Sequence, residues 1–253
     1  MKNNAVPRSK VDMVDDLESL RHPGLQSFAK NLWLADGPIV RDAGLLFTTR
    51  MEIVRLGDGT LWVNSPVDVP PETLSQITHL GQVRYLVAGT PRHVWRLESW
   101  HALFPDAQLW APKPTLFTLK KADLPLTGIL GDTPNPGWAD DLDQLAFKGS
   151  PFIEEIFFFH RESHTVILDD LIQSHLMVQG DFIRNTLIKI MGVEAPRNGV
   201  SIDLRLSFLN RQLARQSLER LLSWDFDKLI IAHGNPVLSN ARETVETAFR
   251  WLL

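Results

Sequence analysis

The sequence predicts an α/β fold in which a single domain combines mixed β-sheets with helices on their outer faces. Three observations support this prediction. The chain begins with hairpin-forming segments, continues with strands that alternate with helices, and then places three apolar strands close together. A helix, a strand and a helix close the sequence. This order fits one domain better than two, because helices that alternate with strands pack on the faces of a shared sheet.

The composition is typical of a soluble globular protein. The 253 residues are 44% hydrophobic and 22% charged, with a net charge of −4 and no cysteine. The lack of cysteine excludes disulfides, thiolate nucleophiles and thiolate metal ligands. Acidic and basic residues are interspersed, so there is no basic face for a nucleic acid. Without a secretory signal or an apolar segment long enough to span a bilayer, we expect a cytoplasmic protein with no membrane partner.

The first part of the chain is expected to form hairpins. Residues 1–19 are polar and charged, which predicts a flexible tail and leaves residues 20–253 as the domain. Asp58-Gly59 separates two alternating segments and predicts a tight turn. Pro70 and Pro71 favour the start of a helix that ends near Leu80. The strands predicted in this part are residues 33–40, 44–48, 52–56 and 61–64.

The rest of the chain is expected to alternate strands with helices. The predicted strands are residues 83–88, 108–110, 142–147, 152–159, 165–168 and 228–231, and the predicted helices are residues 94–103, 114–121, 182–191, 211–224 and 241–253. Residues 127–143 are rich in Gly, Pro and Asp, which predicts a surface loop. Residues 180–207 form a helical insertion with more apolar residues than one helix face needs. A lid over the mouth of the domain is the favoured interpretation, and a surface that contacts another protein is the alternative.

Three apolar strands end at residue types that bind metals. His233 follows the strand at 228–231, Asp169 and Asp170 follow the strand at 165–168, and His93 follows the strand at 83–88. In α/β folds, ligands bind beyond the carboxyl ends of the strands. Two imidazoles and a carboxylate form a ligand set suited to zinc or a similar divalent ion. Each residue also has a structural interpretation, in which it caps a loop carbonyl or the start of the next turn or helix.

The order of elements from about Leu32 to the C-terminus resembles the metallo-β-lactamase superfamily. This resemblance implies a four-layer αβ/βα sandwich, with two mixed β-sheets flanked by helices. Members carry an H-x-H-x-D-H motif, a later histidine, a bridging aspartate and a final histidine before glycine. His233 in Ala-His-Gly is similar to the final histidine, and His93 to the last histidine of the motif. Asp170 matches the bridging aspartate, with Asp169 as the alternative register.

The match to that motif is incomplete, which implies a reduced metal site. Ala88, Thr90 and Arg92 stand at the other motif positions. Near the expected later histidine the chain has Glu154 and Glu155 instead. The resemblance therefore implies at most one metal ion, held by His93, Asp170 and His233. Zinc is expected, with iron or manganese as alternatives.

The implied activity is hydrolysis of a small-molecule ester, amide or phosphoester. Asp170 and Glu155 are the expected catalytic residues. Glu155 or Glu154 would serve as the fourth ligand or as the base. The sequence does not define the substrate.

Arg92 supports an alternative without a metal. A guanidinium is always charged and repels a divalent cation. If Arg92 points inward, it would pair with Asp170 and take the place of the metal. The chain would then be a metal-free relic of the fold that binds a ligand or another protein.

Overall fold

Two mixed β-sheets face each other in the computed structural model, which describes residues 21–22, 24–42, 45–113 and 124–253. In this part of the chain, the larger sheet contains, in spatial order, β1 (Gln26–Ala29), β2 (Leu32–Asp42), β3 (Leu45–Arg55), β4 (Leu61–Asn64), β5 (Val83–Val87), β6 (Gln108–Ala111) and β7 (Gly128–Ile129). The smaller sheet contains β8 (Leu142–Phe147), β9 (Glu155–His160), β10 (Thr165–Leu168) and β11 (Lys228–Ile231), again in spatial order. Neighbouring strands from β4 to β7 are parallel, as are β10 and β11, and the other pairs are antiparallel.

Helices cover the outer face of each sheet. The α-helices of the described residues are α1 (Pro71–Leu80), α2 (Leu97–Leu103), α3 (Phe182–Met191), α4 (Ile202–Ser207), α5 (Arg211–Leu222) and α6 (Ala241–Ala248), and α1, α2, α5 and α6 pack on these outer faces. Ile77 of α1 and Trp100 of α2 belong to the core on the outer face of the larger sheet. Leu218 of α5 and Val245 of α6 belong to the core on the outer face of the smaller sheet. No helix of the described residues is long and apolar enough to cross a membrane.

A third core lies between the sheets. Trp62 and Tyr85 from the larger sheet pack in one cluster with Phe158 and Ile167 from the smaller sheet. The rings of Trp62 and Phe158 meet edge to face, with centroids 4.8 Å apart. The order of layers is therefore helix, sheet, sheet and helix, and the predicted four-layer αβ/βα sandwich is confirmed.

Two local predictions differ from the structure. The segments at 44–48 and 52–56 belong to one continuous strand, β3, which pairs with β2. The surface loop predicted at 127–143 contains β7 and the buried side chains of Leu130 and Trp138. Gly and Pro mark turns in this segment, but its apolar residues still fill the core between the sheets. The expected tail at residues 1–19 and the expected helix at 114–121 lie outside the described residues.

The carboxyl ends of four strands meet at one edge of the sandwich. Leu168 of β10 pairs with Ile231 of β11, and Asn64 of β4 pairs with Val87 of β5. The two sheets touch there, since the backbone N–H of Ile156 donates to the carbonyl of Gly89 at 2.7 Å. A side chain at residue 89 would place its Cβ 2.7 Å from Oδ2 of Asp169, so the close approach requires glycine. This edge brings together the residues that follow these strands.

Candidate metal centre

His93, Asp170 and His233 lie together at this edge. One ligand atom from each lies within 4.8 Å of the others. Oδ1 of Asp170 lies 3.1 Å from Nε2 of His233 and 3.4 Å from Nε2 of His93. Asp170 and His233 are buried, and the His93 side chain is 15% exposed. The three strand ends singled out in the sequence therefore supply one compact, largely buried cluster.

Hydrogen bonds at the far side of each imidazole fix its orientation. Nδ1 of His233 lies 2.6 Å from the Thr48 carbonyl, which only accepts, so Nδ1 carries the proton. Nδ1 of His93 lies 2.9 Å from Oγ of Ser65, whose hydroxyl donates to Asp169. Nδ1 of His93 is therefore the donor as well. In the neutral form of both rings, the Nε2 lone pairs face the Asp170 carboxylate, so either a proton on the ring nitrogen or a metal ion between the atoms is needed to make this contact favourable.

A second carboxylate, Asp169, supports the cluster from behind. Its oxygens accept from Oγ of Ser65 at 2.9 Å and from Nδ2 of Asn64 at 3.0 Å. Nδ2 of Asn64 also donates to Glu52 at 2.9 Å. Ser65 has a φ of 49°, which is unusual for a residue with a side chain and typical of functional sites. Asn64 and Ser65 were not predicted as site residues, although they also end a buried strand.

The two glutamates occupy different places. Glu155 is fully buried, and Oε1 accepts the backbone N–H groups of Asp169 at 2.6 Å and Asp170 at 3.1 Å. Oε2 accepts the N–H of Leu171 at 2.8 Å. Glu155 thus holds the turn that carries both aspartates. Glu154 is half-buried, and neither glutamate belongs to the group of converging ligand atoms.

Arg92 does not lie between the ligands. Its side chain is exposed, and its backbone N–H points towards Oγ1 of Thr90 at 3.4 Å. The interpretation in which the Arg92 guanidinium takes the metal's place is therefore wrong, because the inward position on Asp170 belongs to the two histidines.

Burial and charge act against each other in the cluster. Burial alone would lower the pKa of His93, but the charges of Asp170 and Asp169 outweigh it and raise that pKa to about 10. Burial opposes ionisation of Asp170, yet its histidine neighbours lower the pKa of Asp170 well below its usual value. Burial and the nearby carboxylates raise the pKa of Glu155, and burial and Asp169 raise the pKa of Glu52 to about 8. The site concentrates negative charge that a cation would compensate.

The donor atoms fit a divalent metal. Oδ2 of Asp170 is buried and has no hydrogen-bond partner among the described residues, which is costly for a carboxylate oxygen. Two ligands of one tetrahedral zinc, each bound at about 2.0–2.2 Å, lie roughly 3.3–3.6 Å apart. The Asp170–histidine separations of 3.1 and 3.4 Å are within about 0.2 Å of this spacing. Catalytic zinc is typically held by three protein ligands, with water or substrate in the fourth position.

The helical insertion does not bury most of its apolar residues. Phe182 is 83% exposed, Ile183 78% and Ile190 60%. Ile188 and Arg184, on the opposite side of α3, are buried. The predicted lid is therefore not closed by these exposed side chains, which face solvent.

The fold defines the class of protein. The chain has the metallo-β-lactamase-like fold, since solved structures of that class align along most of its length. The DIM-1 metallo-β-lactamase exposed to ceftazidime is 14% identical with a TM-score of 0.59, covering 90% of this chain and 97% of that one. The metallo-β-lactamase FIM-1 from Pseudomonas aeruginosa in its mono-zinc form is 11% identical with a TM-score of 0.55, covering 90% and 96%. The metal-soaked Flv1 flavodiiron core from Synechocystis sp. PCC6803 is 12% identical with a TM-score of 0.60, covering 90% and 60%.

A family model identifies the chain more specifically. The chain belongs to the family described as Domain of unknown function (DUF4336), whose model matches residues 42–179. No curated protein matches the chain. The matched segment contains His93 and Asp170 and ends before α3 and His233.

Proposed function

We propose that this chain is a metal-dependent hydrolase with a single divalent metal ion held by His93, Asp170 and His233. The observation that carries the proposal is the convergence of two imidazole Nε2 atoms on Oδ1 of Asp170, with both opposite ring nitrogens already hydrogen-bonded. Hydrogen bonds of this kind at the second ring nitrogen are usual for metal-binding histidines. The mono-zinc form of FIM-1 is a precedent for one metal in this fold.

A divalent metal in such a site polarises a carbonyl or phosphoryl oxygen and makes water a stronger nucleophile near neutral pH. The chain's own residues prepare the site for this chemistry. Thr48 and Ser65 orient the two imidazoles. Glu155 fixes the backbone of the aspartate turn, so we assign it a positioning role and not the role of base. The substrate class that follows is a small ester, amide or phosphoester.

Metal analysis of protein purified without chelator tests the metal site. We expect about one equivalent of zinc, iron or manganese after supplementation with each metal. Asp170→Asn and His233→Ala should reduce this to below about a tenth of an equivalent. Asp203→Asn is the matched control, because Asp203 is exposed on α4, and should retain the metal. A wild-type protein without metal would contradict the proposal.

Activity is tested separately on the metal-loaded protein. We expect hydrolysis of 4-nitrophenyl acetate or bis(4-nitrophenyl) phosphate that Asp170→Asn removes and Asp203→Asn retains. Equal rates for wild type and Asp170→Asn would show that the hydrolysis does not come from this site.

A further inference from the structure

A polar cavity lies on the side of His233 away from the candidate metal centre. Its volume is about 100 Å³, and its lining includes Arg21, Arg50, Arg184, Asp36 and His175. Three guanidinium groups thus share the cavity with one carboxylate, although the whole chain has a net charge of −4. A concentration of positive charge in a concave site attracts anions.

Arg184 is the most buried of these three cations. The residue is only 5% exposed. Nη1 donates to the carbonyl of Leu176 at 2.7 Å, and Nη2 has a long contact of 3.5 Å with the carbonyl of Leu46. Nε is buried and has no partner among the described residues, and none of their carboxylates forms an ion pair with Arg184. The Asp181 carboxylate attracts the guanidinium through space but does not pair with it directly, so an anion that accepts from the guanidinium would be favoured.

Arg50 is held differently and gives the cavity a rigid wall. Nε donates to Oδ1 of Asp36 at 2.9 Å. Nη1 donates to the carbonyls of Ile231 and Gly234 at 3.1 and 2.6 Å. These bonds fasten the backbone around His233 to the larger sheet, and the Asp36 carboxylate compensates the charge of Arg50. Of Arg50 and Arg184, only Arg184 therefore lacks an ion-pair partner among the described residues.

The cavity and the metal centre share a wall. Thr48, whose carbonyl accepts from Nδ1 of His233, lines the cavity. His175 also lines it, and its ring stacks on that of His233 with centroids 6.4 Å apart at 18°. The cavity thus lies on the Nδ1 side of His233, opposite the Nε2 atom that faces Asp170. The three candidate metal ligands are not part of its lining.

We propose that this cavity binds a small oxyanion, the phosphate or carboxylate group of a ligand, and that Arg184 of the helical insertion is the main binding residue. The guanidinium supplies several N–H donors in one plane, which matches either type of oxyanion. The proposal is independent of the proposed hydrolase activity, because it uses residues outside the metal cluster. It also gives the insertion a role, since α3 delivers Arg184 to the cavity.

The test uses inorganic phosphate and, in a parallel arm, acetate. Calorimetric titration is performed on the full chain in its Asp170→Asn form without metal, at an ionic strength held constant with sodium chloride. In the metal-free Asp170→Asn protein, the added anions cannot bind to a metal ion at the candidate metal centre. We expect phosphate, acetate or both to bind, and the arm that responds identifies the type of oxyanion. Adding Arg184→Gln should weaken binding at least about tenfold, as expected for the loss of charge-assisted hydrogen bonds.

Two further variants keep the result interpretable. Arg197→Gln is the matched control, because Arg197 lies exposed on the same insertion outside the cavity, and it should bind as the parent does. Arg184→Lys keeps the charge with fewer donors, so it should fold and bind with intermediate affinity. The proposal is wrong if neither anion binds, or if the Arg184 variants bind as tightly as the Arg197 control.

Discussion

Nε2 of His233 lies 3.1 Å from Oδ1 of Asp170. The opposite ring nitrogen of His233, Nδ1, donates to the Thr48 carbonyl, so the lone pair on Nε2 of the neutral ring points at a carboxylate oxygen. This contact is repulsive unless a proton or a metal ion lies between the two atoms. A proton and a metal ion are therefore alternative occupants of this contact. His93 presents its own Nε2 to the same oxygen. Metal binding and protonation must then compete.

This competition predicts a pH-dependent metal affinity. His93 has its pKa raised to about 10, so the metal-free protein holds a proton there at neutral pH. A metal displaces that proton, and the apparent association constant should rise about tenfold per pH unit between pH 7 and 9. Titration with zinc in buffers of different ionisation enthalpy measures the proton released. His79→Ala removes an exposed histidine and should behave as wild type; a pH-independent affinity would contradict the prediction.

The two neighbouring glutamates should respond differently to substitution. Glu155→Gln replaces an acceptor of three backbone N–H groups by a side chain with one oxygen, so it should lower the free energy of unfolding by roughly 2–4 kcal/mol. Metal affinity should fall about 10- to 100-fold, because the turn that carries Asp170 loses its support. Glu154→Gln is the control and should change neither quantity much. Urea unfolding and metal titration measure both effects, and similar losses in the two variants would argue against a positioning role for Glu155.

Arg92 should be dispensable for metal binding. Its side chain is exposed, so Arg92→Ala should change the free energy of unfolding by no more than about 0.5 kcal/mol. Metal content should stay at the wild-type value, whereas Asp170→Asn loses the metal. A marked gain of metal in Arg92→Ala would show that the guanidinium opposes the ion in solution.

The location of the candidate metal centre was predictable because strand ends follow a simple rule. Buried parallel strands place their carboxyl ends at one edge of a sheet, so the residues after β5, β10 and β11 were expected to meet. Their apolar segments are short and continuous, which made the ends of these strands easy to read. The four-layer order was implied by the resemblance to the metallo-β-lactamase superfamily, which rested on the order of the elements.

The supporting residues could not be predicted in the same way. Thr48 contributes a backbone carbonyl from the middle of β3, and no side-chain pattern marks that contact. Glu155 acts across the sheet on a turn 14–16 residues away in sequence. Arg92 lies in a loop, where no helical or strand periodicity indicates whether its side chain points inward or towards solvent. Arg184 appeared as one polar residue on an amphipathic helix, and only the structure shows that it is buried.

The two sides of α3 should differ in their contribution to stability. Ile188 is 2% exposed, so Ile188→Ala should cost roughly 2–5 kcal/mol of unfolding free energy. Phe182 is 83% exposed, so Phe182→Ser should change the free energy of unfolding by less than about 0.5 kcal/mol. Urea denaturation of the two variants measures the difference. A cost for Phe182→Ser as large as that for Ile188→Ala would show that Phe182 is covered in solution, by a closed lid or by another protein molecule.

His175 should make the protein sensitive to acid. Burial, followed by the charges of His233 and Arg184, lowers the pKa of His175 to about 3. Between pH 6.5 and 3 the unfolded chain binds a proton at this residue and the folded chain does not. This contribution to stability is therefore complete above pH 6.5 and is lost as the pH falls, by up to about 1.4 kcal/mol per pH unit. His175→Gln should reduce the loss of unfolding free energy between pH 6.5 and 4.5, whereas the exposed control His79→Gln should not. Urea unfolding at several pH values measures these slopes, and equal slopes in wild type and His175→Gln would contradict a neutral, buried His175.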